Sequence, residues 1–280
     1  MRTAVKKDMR LRRADLRSFK QQIWDYYRKH GRSLPWRETR NPYHILVSEL
    51  MLQQTQVNRV IEKYREFIAK FPDAVALAKA PLRSVLTVWK GLGYNRRALA
   101  LKQIALAVVA QHRGKVPSSF DDLVKLPGVG KATASAILAF AFNQPVVFIE
   151  TNIRTVFIHC FFPGQDEVSD DEIIPLVIKT LDAANPREWY YALMDYGTFL
   201  KKSIANPGRK SSHYHKQSPF DGSNRQVRGR ILRYLTTEHE CTEEALAQQL
   251  GLAPGRVRRA LLELVKEGMI TRKGTMLKIG

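Results

Sequence analysis

Apolar residues recur every three to four positions from residue 18 to residue 202, which is the spacing that places them on one face of an α-helix. Glycine, proline and polar stretches interrupt the pattern, and alternating strand patterns are scarce. This part of the chain is therefore predicted to be mainly α-helical. The predicted helices are residues 18–30, 43–68, 82–89, 96–112, 120–126, 131–142, 152–161, 170–183 and 187–201.

The helical pattern stops at residues 203–223, where proline, glycine and a run of basic, serine and histidine residues indicate a connector. Three further helical segments follow, and a short alternating segment hinged at Gly274 ends the chain. This order is typical of a winged helix domain, which we predict over residues 224–280. Its third helix would be the recognition helix, although winged helices also bind proteins. The DNA-contacting residues on that helix would be Arg256, Arg258 and Arg259.

The charge balance of the chain indicates the class of molecule that it binds. The chain has 46 Lys and Arg residues against 26 Asp and Glu residues, a formal net charge of +20, and such a field attracts a polyanion. Residues 1–17 are predicted to form a polar, basic N-terminal arm. The sequence has no run of about 18 apolar residues and no secretory signal. We therefore expect a cytoplasmic or nucleoid-associated DNA-binding protein that does not enter a membrane.

The number and spacing of the cysteines limit the cofactors that this chain could bind. Cys160 and Cys241 are the two cysteines of the sequence, and their spacing matches no metal site. They are too few for a disulfide framework or for an iron–sulfur cluster. We therefore expect reduced thiols, no bound metal and no iron–sulfur cofactor.

The sharpest local motif is Leu-Pro-Gly-Val-Gly at residues 126–130, between two predicted helices. Its two glycines permit a tight turn in which the backbone can approach a ligand closely. The N–H groups that begin the next helix then favour a phosphate. We predict a helix-hairpin-helix that binds the DNA backbone and could also hold a monovalent cation, with an ordinary loop between two helices as the alternative. The backbone-binding residues would be Gly128, Val129, Gly130 and Lys131.

An acidic residue, Glu150, lies twenty residues after Gly130 and just before the predicted helix that begins at Asn152. Its carboxylate could complement the dipole of that helix. Alternatively, it projects toward the molecule that the hairpin binds. The residues alone leave both interpretations open.

In this order, the hairpin and the acidic residue resemble the HhH-GPD superfamily of base-excision DNA glycosylases, and within it the MutY-type adenine glycosylases. The similarity extends over about residues 18–200, and the segment SELMLQQTQV at 48–57 is its most specific part. It implies a two-lobed helical glycosylase domain, with residues 18–41 and 145–202 in one lobe and residues 42–144 in the other. The other matching segments are LPWR at 34–37, GLGY at 91–94 and ALMDYG at 192–197.

The resemblance assigns catalytic and pocket roles to residues of this chain. Such enzymes flip a nucleotide out of the duplex into a pocket. Glu49 matches the acid that protonates a purine ring nitrogen, and Glu150 matches the carboxylate that stabilises the positive charge left on the sugar. Trp36 and Arg37 match residues that contact the extruded base.

The resemblance also assigns three residues to the opposite strand. Gln53 and Gln54 match residues that wedge into the vacated base stack. On one continuous helix, Gln53 would share a face with Glu49. Tyr94 could pack near the opposite base or in the core.

Four features depart from the family pattern. The usual residue at position Glu150 is Asp, and one extra methylene shifts a carboxylate by roughly an ångström. Ala132 stands where relatives that also cleave the DNA backbone have a Schiff-base lysine. The four-cysteine cluster loop is absent, and the basic residues 201–216 take its place. The winged helix domain stands where a C-terminal domain that recognises 8-oxoguanine is expected.

We therefore expect a monofunctional, monomeric DNA N-glycosylase that flips a mispaired or damaged base out of double-stranded DNA, with adenine favoured. A glycosylase for thymine or uracil opposite guanine, or for an alkylated base, is the first alternative. A non-catalytic DNA-binding regulator built on a glycosylase scaffold is the alternative from another class.

Overall fold

The structure, a computed structural model, describes residues 13–280. The predicted basic arm, residues 1–17, lies mostly outside these residues. Its last part belongs to the first helix, which begins at Arg13 rather than at the predicted Ser18. The helix starts earlier because residues of good helix propensity extend it beyond the first buried position.

Helices dominate the described residues, and the predicted mainly α-helical fold is confirmed. Two short 3-10 helices lie at Pro35–Arg37 and Pro207–Lys210. The remaining elements, in chain order, are α1 (Arg13–His30), α2 (Pro42–Leu52), α3 (Val57–Lys70), α4 (Ala74–Lys79), α5 (Leu82–Trp89), α6 (Arg96–His112), α7 (Phe120–Lys125), α8 (Lys131–Phe142), α9 (Thr151–Phe161), α10 (Asp170–Thr180), α11 (Pro186–Ser203), α12 (Asn224–Glu238), β1 (Glu240–Thr242), α13 (Glu243–Leu250), α14 (Pro254–Lys266), β2 (Ile270–Lys273) and β3 (Met276–Ile279).

Most predicted helices agree with these bounds, and α5 and α6 match them residue for residue. The single helix predicted over residues 43–68 is wrong, because residues 53–56 separate α2 from α3. Helix α4 was not predicted. It begins where the Asp73 carboxylate accepts a hydrogen bond from the backbone N–H of Ala76 at 2.7 Å, which satisfies one of the free donors of the first turn.

The chain divides into two compact units. Unit 1 contains the residues up to Ser33 together with residues 138–215, and unit 2 contains residues 34–137 together with residues 216–280. The predicted lobe and domain boundaries stay predictions. Within residues 13–280, none of the helices combines the length and the apolar character that a membrane span requires.

Unit 1 is built from α1, α9, α10 and α11, which pack on one another around an aromatic core. The ring of Phe19 on α1 lies 4.9 Å from that of Phe161 on α9 and 6.1 Å from that of Trp189 on α11, measured between ring centroids. Helix α11 approaches the start of α9 closely because residue 197 is glycine. A Cβ atom on Gly197 would lie 2.4 Å from the carbonyl oxygen of Asn152.

The segment after α11 folds back on unit 1. The backbone N–H of Val168 donates to the carbonyl oxygen of Lys210 at 2.8 Å, and that of Ser212 donates to the carbonyl oxygen of Val168 at 3.0 Å. The 3-10 helix at Pro207–Lys210 packs on α9. The first part of the predicted connector, up to His215, is therefore a structured segment of unit 1.

Unit 2 contains α2 to α7, the hairpin and the winged helix domain. In that domain, the strands form an antiparallel sheet in the order β1-β3-β2, with Cys241 opposite Leu277 and Thr271 opposite Lys278. Helices α12 and α14 contribute fully buried side chains such as Ile231 and Leu264. The predicted winged helix is confirmed. Strand β1 was missed because three residues are too short to show an alternating pattern.

Candidate active site

Glu150 begins helix α9 and caps it with its own side chain. Its backbone is extended, and its Oε1 accepts hydrogen bonds from the backbone N–H groups of Asn152 at 2.7 Å and Ile153 at 2.8 Å. The cap is therefore Glu150 itself, and α9 begins at Thr151, one residue before the predicted start at Asn152. The N-terminal end of the helix and two N–H donors stabilise a negative charge on this half-buried carboxylate.

The second carboxylate oxygen of Glu150 is held by the side chain of Asn152, which Lys201 holds in turn. Asn152 donates from Nδ2 to Oε2 of Glu150 at 3.1 Å, and Lys201 donates from Nζ to Oδ1 of Asn152 at 2.9 Å. Burial lowers the pKa of the Lys201 ammonium, an effect that the charge of Glu150 opposes in part. Both oxygens of Glu150 are thus fixed, and neither Asn152 nor Lys201 was singled out from the sequence.

The donors for an iron–sulfur cluster are not present in this chain. A cluster of the expected kind needs four thiolates, and the sequence contains two cysteines. Cys160 lies on α9 in unit 1, and burial raises the pKa of its thiol to about 12. Cys241 lies on β1 of the winged helix domain in unit 2. The basic segment after α11, up to His215, forms part of unit 1.

Glu49 lies on α2 in unit 2 and is half-buried. Trp36 lies on the 3-10 helix that packs against α2 and is 3% exposed. Its ring meets that of Tyr64 edge-on at 5.5 Å between centroids. Arg37, the next residue, is half-buried. The structure thus places Trp36 in the core of unit 2, and its predicted contact with an extruded base stays a prediction.

Gln53 and Gln54 belong to the segment between α2 and α3, residues 53–56, which we call the wedge loop. Helix α2 ends at Leu52, so the prediction that Gln53 continues the helical face of Glu49 is wrong. Both glutamine side chains are exposed, and Gln54 has a φ of +51°, which non-glycine residues adopt uncommonly. Gln53 donates from Nε2 to Oγ1 of Thr133 on α8 at 3.4 Å.

Arg97, at the start of α6, is the residue that ends α2 where it does. Its guanidinium is buried and donates to the carbonyl oxygens of Leu50 at 2.7 Å and Met51 at 2.8 Å, and to that of Gln53. It also donates to the carbonyl oxygen of Gly93 at 3.2 Å. Burial lowers its pKa to about 10. One side chain therefore ties the wedge loop to residues 91–94, which we call the glycine loop.

Tyr94 ends the glycine loop with a φ of +47°. Two guanidinium groups, those of Arg97 and Arg225, each lie 5.4 Å from the centroid of its ring, within the range of a cation–π contact. The indole N–H of Trp89 donates to the carbonyl oxygen of Gly93 at 3.0 Å and fixes the same loop from the other helix. A strained tyrosine held by several partners is typical of a functional position.

The predicted hairpin has the geometry that its glycines suggest. Gly128 has a φ of +75°, and a Cβ atom on it would lie 3.1 Å from the Cβ of Ala100 on α6. Val129 is buried and anchors the turn. A Cβ atom on Gly130 would meet nothing within 4 Å, so the space beside it is open. Lys131 is exposed at the start of α8.

The three predicted arginines of the recognition helix are exposed on α14. Two of them have partners within unit 2. Arg258 donates from Nε to a carboxylate oxygen of Glu243 at 3.0 Å, and Arg256 donates to the carbonyl oxygen of Gly222 at 2.6 Å. Arg259 is exposed beside them. Their predicted contact with DNA stays a prediction.

Comparisons with known proteins agree with this arrangement. Residues 47–174 match the family described as HhH-GPD superfamily base excision DNA repair protein, and residues 225–271 match winged helix-turn-helix DNA-binding. An adenine DNA glycosylase of Mycobacterium tuberculosis is 33% identical over 269 residues, which is 88% of this chain and 88% of that protein. One from Buchnera aphidicola subsp. Baizongia pistaciae is 38% identical over 187 residues, covering 65% of this chain and 52% of that protein.

A solved structure of a thermostable thymine-DNA glycosylase is also similar to this chain. It superposes with a TM-score of 0.62 at 25% sequence identity, covering 69% of this chain and 91% of that one. This chain spans about half the length of the Buchnera relative and most of the mycobacterial one.

Proposed function

Because the chain belongs to the HhH-GPD superfamily of base excision DNA repair proteins, we propose that it is a DNA N-glycosylase that removes adenine from mismatched duplex DNA. The observation that carries this proposal is the carboxylate of Glu150, which two backbone N–H groups and Asn152 hold in one orientation. The names of the mycobacterial and Buchnera relatives support adenine as the base.

Two glutamates have different roles in the proposed reaction. Departure of the base leaves positive charge on the sugar, and the fixed carboxylate of Glu150 stabilises that charge and orients the attacking water. Glu49 protonates the purine ring, which makes adenine a better leaving group. The side chain of Glu150, one methylene longer than the usual Asp, still reaches the N–H groups of α9, so its length is compatible with an ordered anion.

Double-stranded DNA is the partner, and unit 2 supplies the surface that binds its backbone. The open space at Gly130 and the exposed Lys131 suit a phosphate, because the first N–H groups of α8 and its dipole favour an anion. The contact between Gln53 and Thr133 joins the wedge loop to this helix. A phosphate at the hairpin therefore brings the duplex to the exposed glutamines of the wedge loop.

A single-turnover assay tests the proposed substrate. Duplexes carry adenine opposite guanine, 8-oxoguanine or cytosine, or thymine, uracil or an alkylated base opposite guanine, and alkali then reveals abasic sites. We expect release of adenine, with strand breaks after alkali only, since Ala132 offers no amine for a Schiff base. Glu49→Gln, which keeps the shape but not the transferable proton, is the inactive control.

The other outcomes are equally informative. Faster release of thymine than of adenine would contradict the proposed substrate and favour the activity named for the similar solved structure. Strand breaks before alkali would contradict the monofunctional assignment. Binding without release from every duplex would favour the DNA-binding regulator.

Lys201→Met is expected to lower the single-turnover rate about tenfold, the cost of one lost hydrogen bond to a charged group. Lys201 fixes the amide of Asn152 so that its NH₂ group faces Glu150. Without that donor, the amide is held only by its bond to Glu150 and can rotate away from the carboxylate. Lys202→Met removes an exposed neighbouring charge and is expected to leave the rate unchanged.

The free energy of unfolding of Lys201→Met separates this positioning role from a purely structural one. Burial, with a smaller contribution from Arg154, lowers the pKa of Lys201, and Glu150 opposes the shift. A lysine whose folded-state pKa is lowered binds its proton less well when folded, so its contribution to stability rises as the pH rises through that pKa. Lys201→Met should therefore not reduce the free energy of unfolding at pH 7. An equal loss of rate and stability would contradict the positioning role.

A further inference from the structure

Helix α12 of the winged helix domain is fixed to the rest of unit 2 at its C-terminal end. Arg83, on α5, donates to the carbonyl oxygen of Thr236 from Nε at 3.0 Å and from a terminal nitrogen at 2.6 Å. It also donates to the carbonyl oxygen of Thr237 at 3.0 Å. A cation at this end of a helix binds the carbonyl groups that lack partners within the helix and interacts favourably with its dipole.

The middle of α12 is held by an ion-pair network. Glu267, just after α14, binds Arg228 of α12 and Arg96 of α6. Although burial raises the pKa of Glu267, hydrogen bonds from these two arginines bring it down to about 2. A carboxylate with a lowered folded-state pKa loses its contribution to stability only as the pH falls toward that value. The network is therefore intact at neutral pH.

The N-terminal end of α12 reaches the glycine loop. Arg225 donates to the hydroxyl of Tyr94 and to the carbonyl oxygen of Ser218, the latter at 2.8 Å. Its guanidinium also lies 6.0 Å from the ring centroid of Phe220, which is 58% exposed. Eleven residues separate Arg225 from Thr236, about 17 Å along a helix. Helix α12 is thus a rod held at both ends, and one end holds Tyr94.

The recognition helix of the winged helix domain, α14, makes contacts of a different kind from those of α12. Arg258 contacts Glu243 of its own domain and Arg256 contacts Gly222 of the preceding connector, whereas Arg225 contacts a loop of the glycosylase part of unit 2. The positive φ of Tyr94 costs free energy that its surroundings must offset. Arg225 supplies a hydrogen bond to its hydroxyl and a cation beside its ring.

We propose that the winged helix domain sets the opposite-base selectivity of this glycosylase, with Arg225 as the positioning residue that holds Tyr94 against the strand opposite the target base. The inference rests on the proposed function and on the family resemblance, which assigns Tyr94 a place near the opposite base. The domain thereby acts on base discrimination through a side chain outside its recognition helix.

The test measures discrimination in a way that does not require base release. Duplexes carry a stable tetrahydrofuran abasic site opposite each of the four bases and 8-oxoguanine, and fluorescence anisotropy gives the Kd of each. The full-length protein is expected to prefer one opposite base. Arg225→Met should reduce the ratio of the weakest to the tightest Kd about tenfold, the factor for one lost charge-assisted hydrogen bond.

Two further variants test whether the effect is specific to Arg225 and whether it acts through Tyr94. Arg233→Met changes an exposed arginine on the same helix and should keep the ratio of the full-length protein. In a Tyr94→Leu background, Arg225→Met should change the ratio no further, because the two residues act as one unit. Thermal unfolding of each variant checks that the winged helix domain stays folded.

The outcomes distinguish this inference from the proposed function. An unchanged ratio in Arg225→Met, or a protein that binds all opposite bases equally, would overturn the role of Arg225. An additive effect in the Tyr94→Leu background would overturn the route through Tyr94. Absence of base release from every duplex would instead contradict the proposed activity, while the Kd ratios would still decide the role of Arg225.

Discussion

Glu150→Gln is expected to lower the single-turnover rate of base release about 10³-fold. The amide has the size of the carboxylate, and its oxygen can still accept from the N–H groups of Asn152 and Ile153, but it carries no charge to stabilise the sugar cation. Removing one preorganised electrostatic partner of a transition state typically costs about 10²–10³ in rate. Because Glu150→Gln removes the charge itself and not merely one hydrogen bond, its effect should lie at the upper end of that range.

Binding and stability should change little in the same variant. Helix capping by Gln in place of Glu should cost at most about 1 kcal/mol of unfolding free energy, which urea denaturation measures. Glu172→Gln is a matched control, since Glu172 also caps a helix of unit 1 by accepting from the N–H of Ser169 at 2.9 Å. Glu150→Asp, which keeps the charge, should retain far more activity than Glu150→Gln. Full activity in Glu150→Gln would remove Glu150 from the mechanism.

The helices that were predicted correctly are those whose ends are encoded nearby in sequence. Helices α5 and α6 follow local apolar spacing and stop at local signals. The helix predicted over residues 43–68 fails because its break is made by Arg97, which lies 47 residues from Leu50. No local pattern indicates that a guanidinium will take the last carbonyl groups of α2, and the apolar spacing continues across the wedge loop.

The candidate site shows the same division. The family resemblance is confirmed, and it pointed to Glu49 and Glu150 by matching motifs. It did not provide their partners, because partners depend on which helices pack together. Lys201 lies 49 residues from Asn152, and Arg225 lies 131 residues from Tyr94. This chain contains many other lysines near helix ends and arginines in basic segments that are exposed to solvent. The sequence therefore offers no signal that distinguishes Lys201 and Arg225 from them.

Arg97→Met is expected to lower the free energy of unfolding by about 3–5 kcal/mol. Leu50 and Met51 are buried, so their carbonyl oxygens lose the guanidinium without gaining water. Each unsatisfied buried acceptor costs about 1–3 kcal/mol. Urea denaturation of Arg97→Met against Arg65→Met, which removes an exposed arginine on α3, measures the difference.

The pH dependence of that difference identifies its cause. Burial lowers the pKa of Arg97 to about 10, so the guanidinium stays charged at and below pH 9. Because its folded-state pKa is below its ordinary value, its own contribution to stability rises only as the pH rises through about 10. The gap between wild type and Arg97→Met should therefore be constant from pH 6 to pH 8.5. A stabilising effect of Arg97→Met would mean that desolvation of the charge outweighs its hydrogen bonds, and that Arg97 does not hold the wedge and glycine loops together.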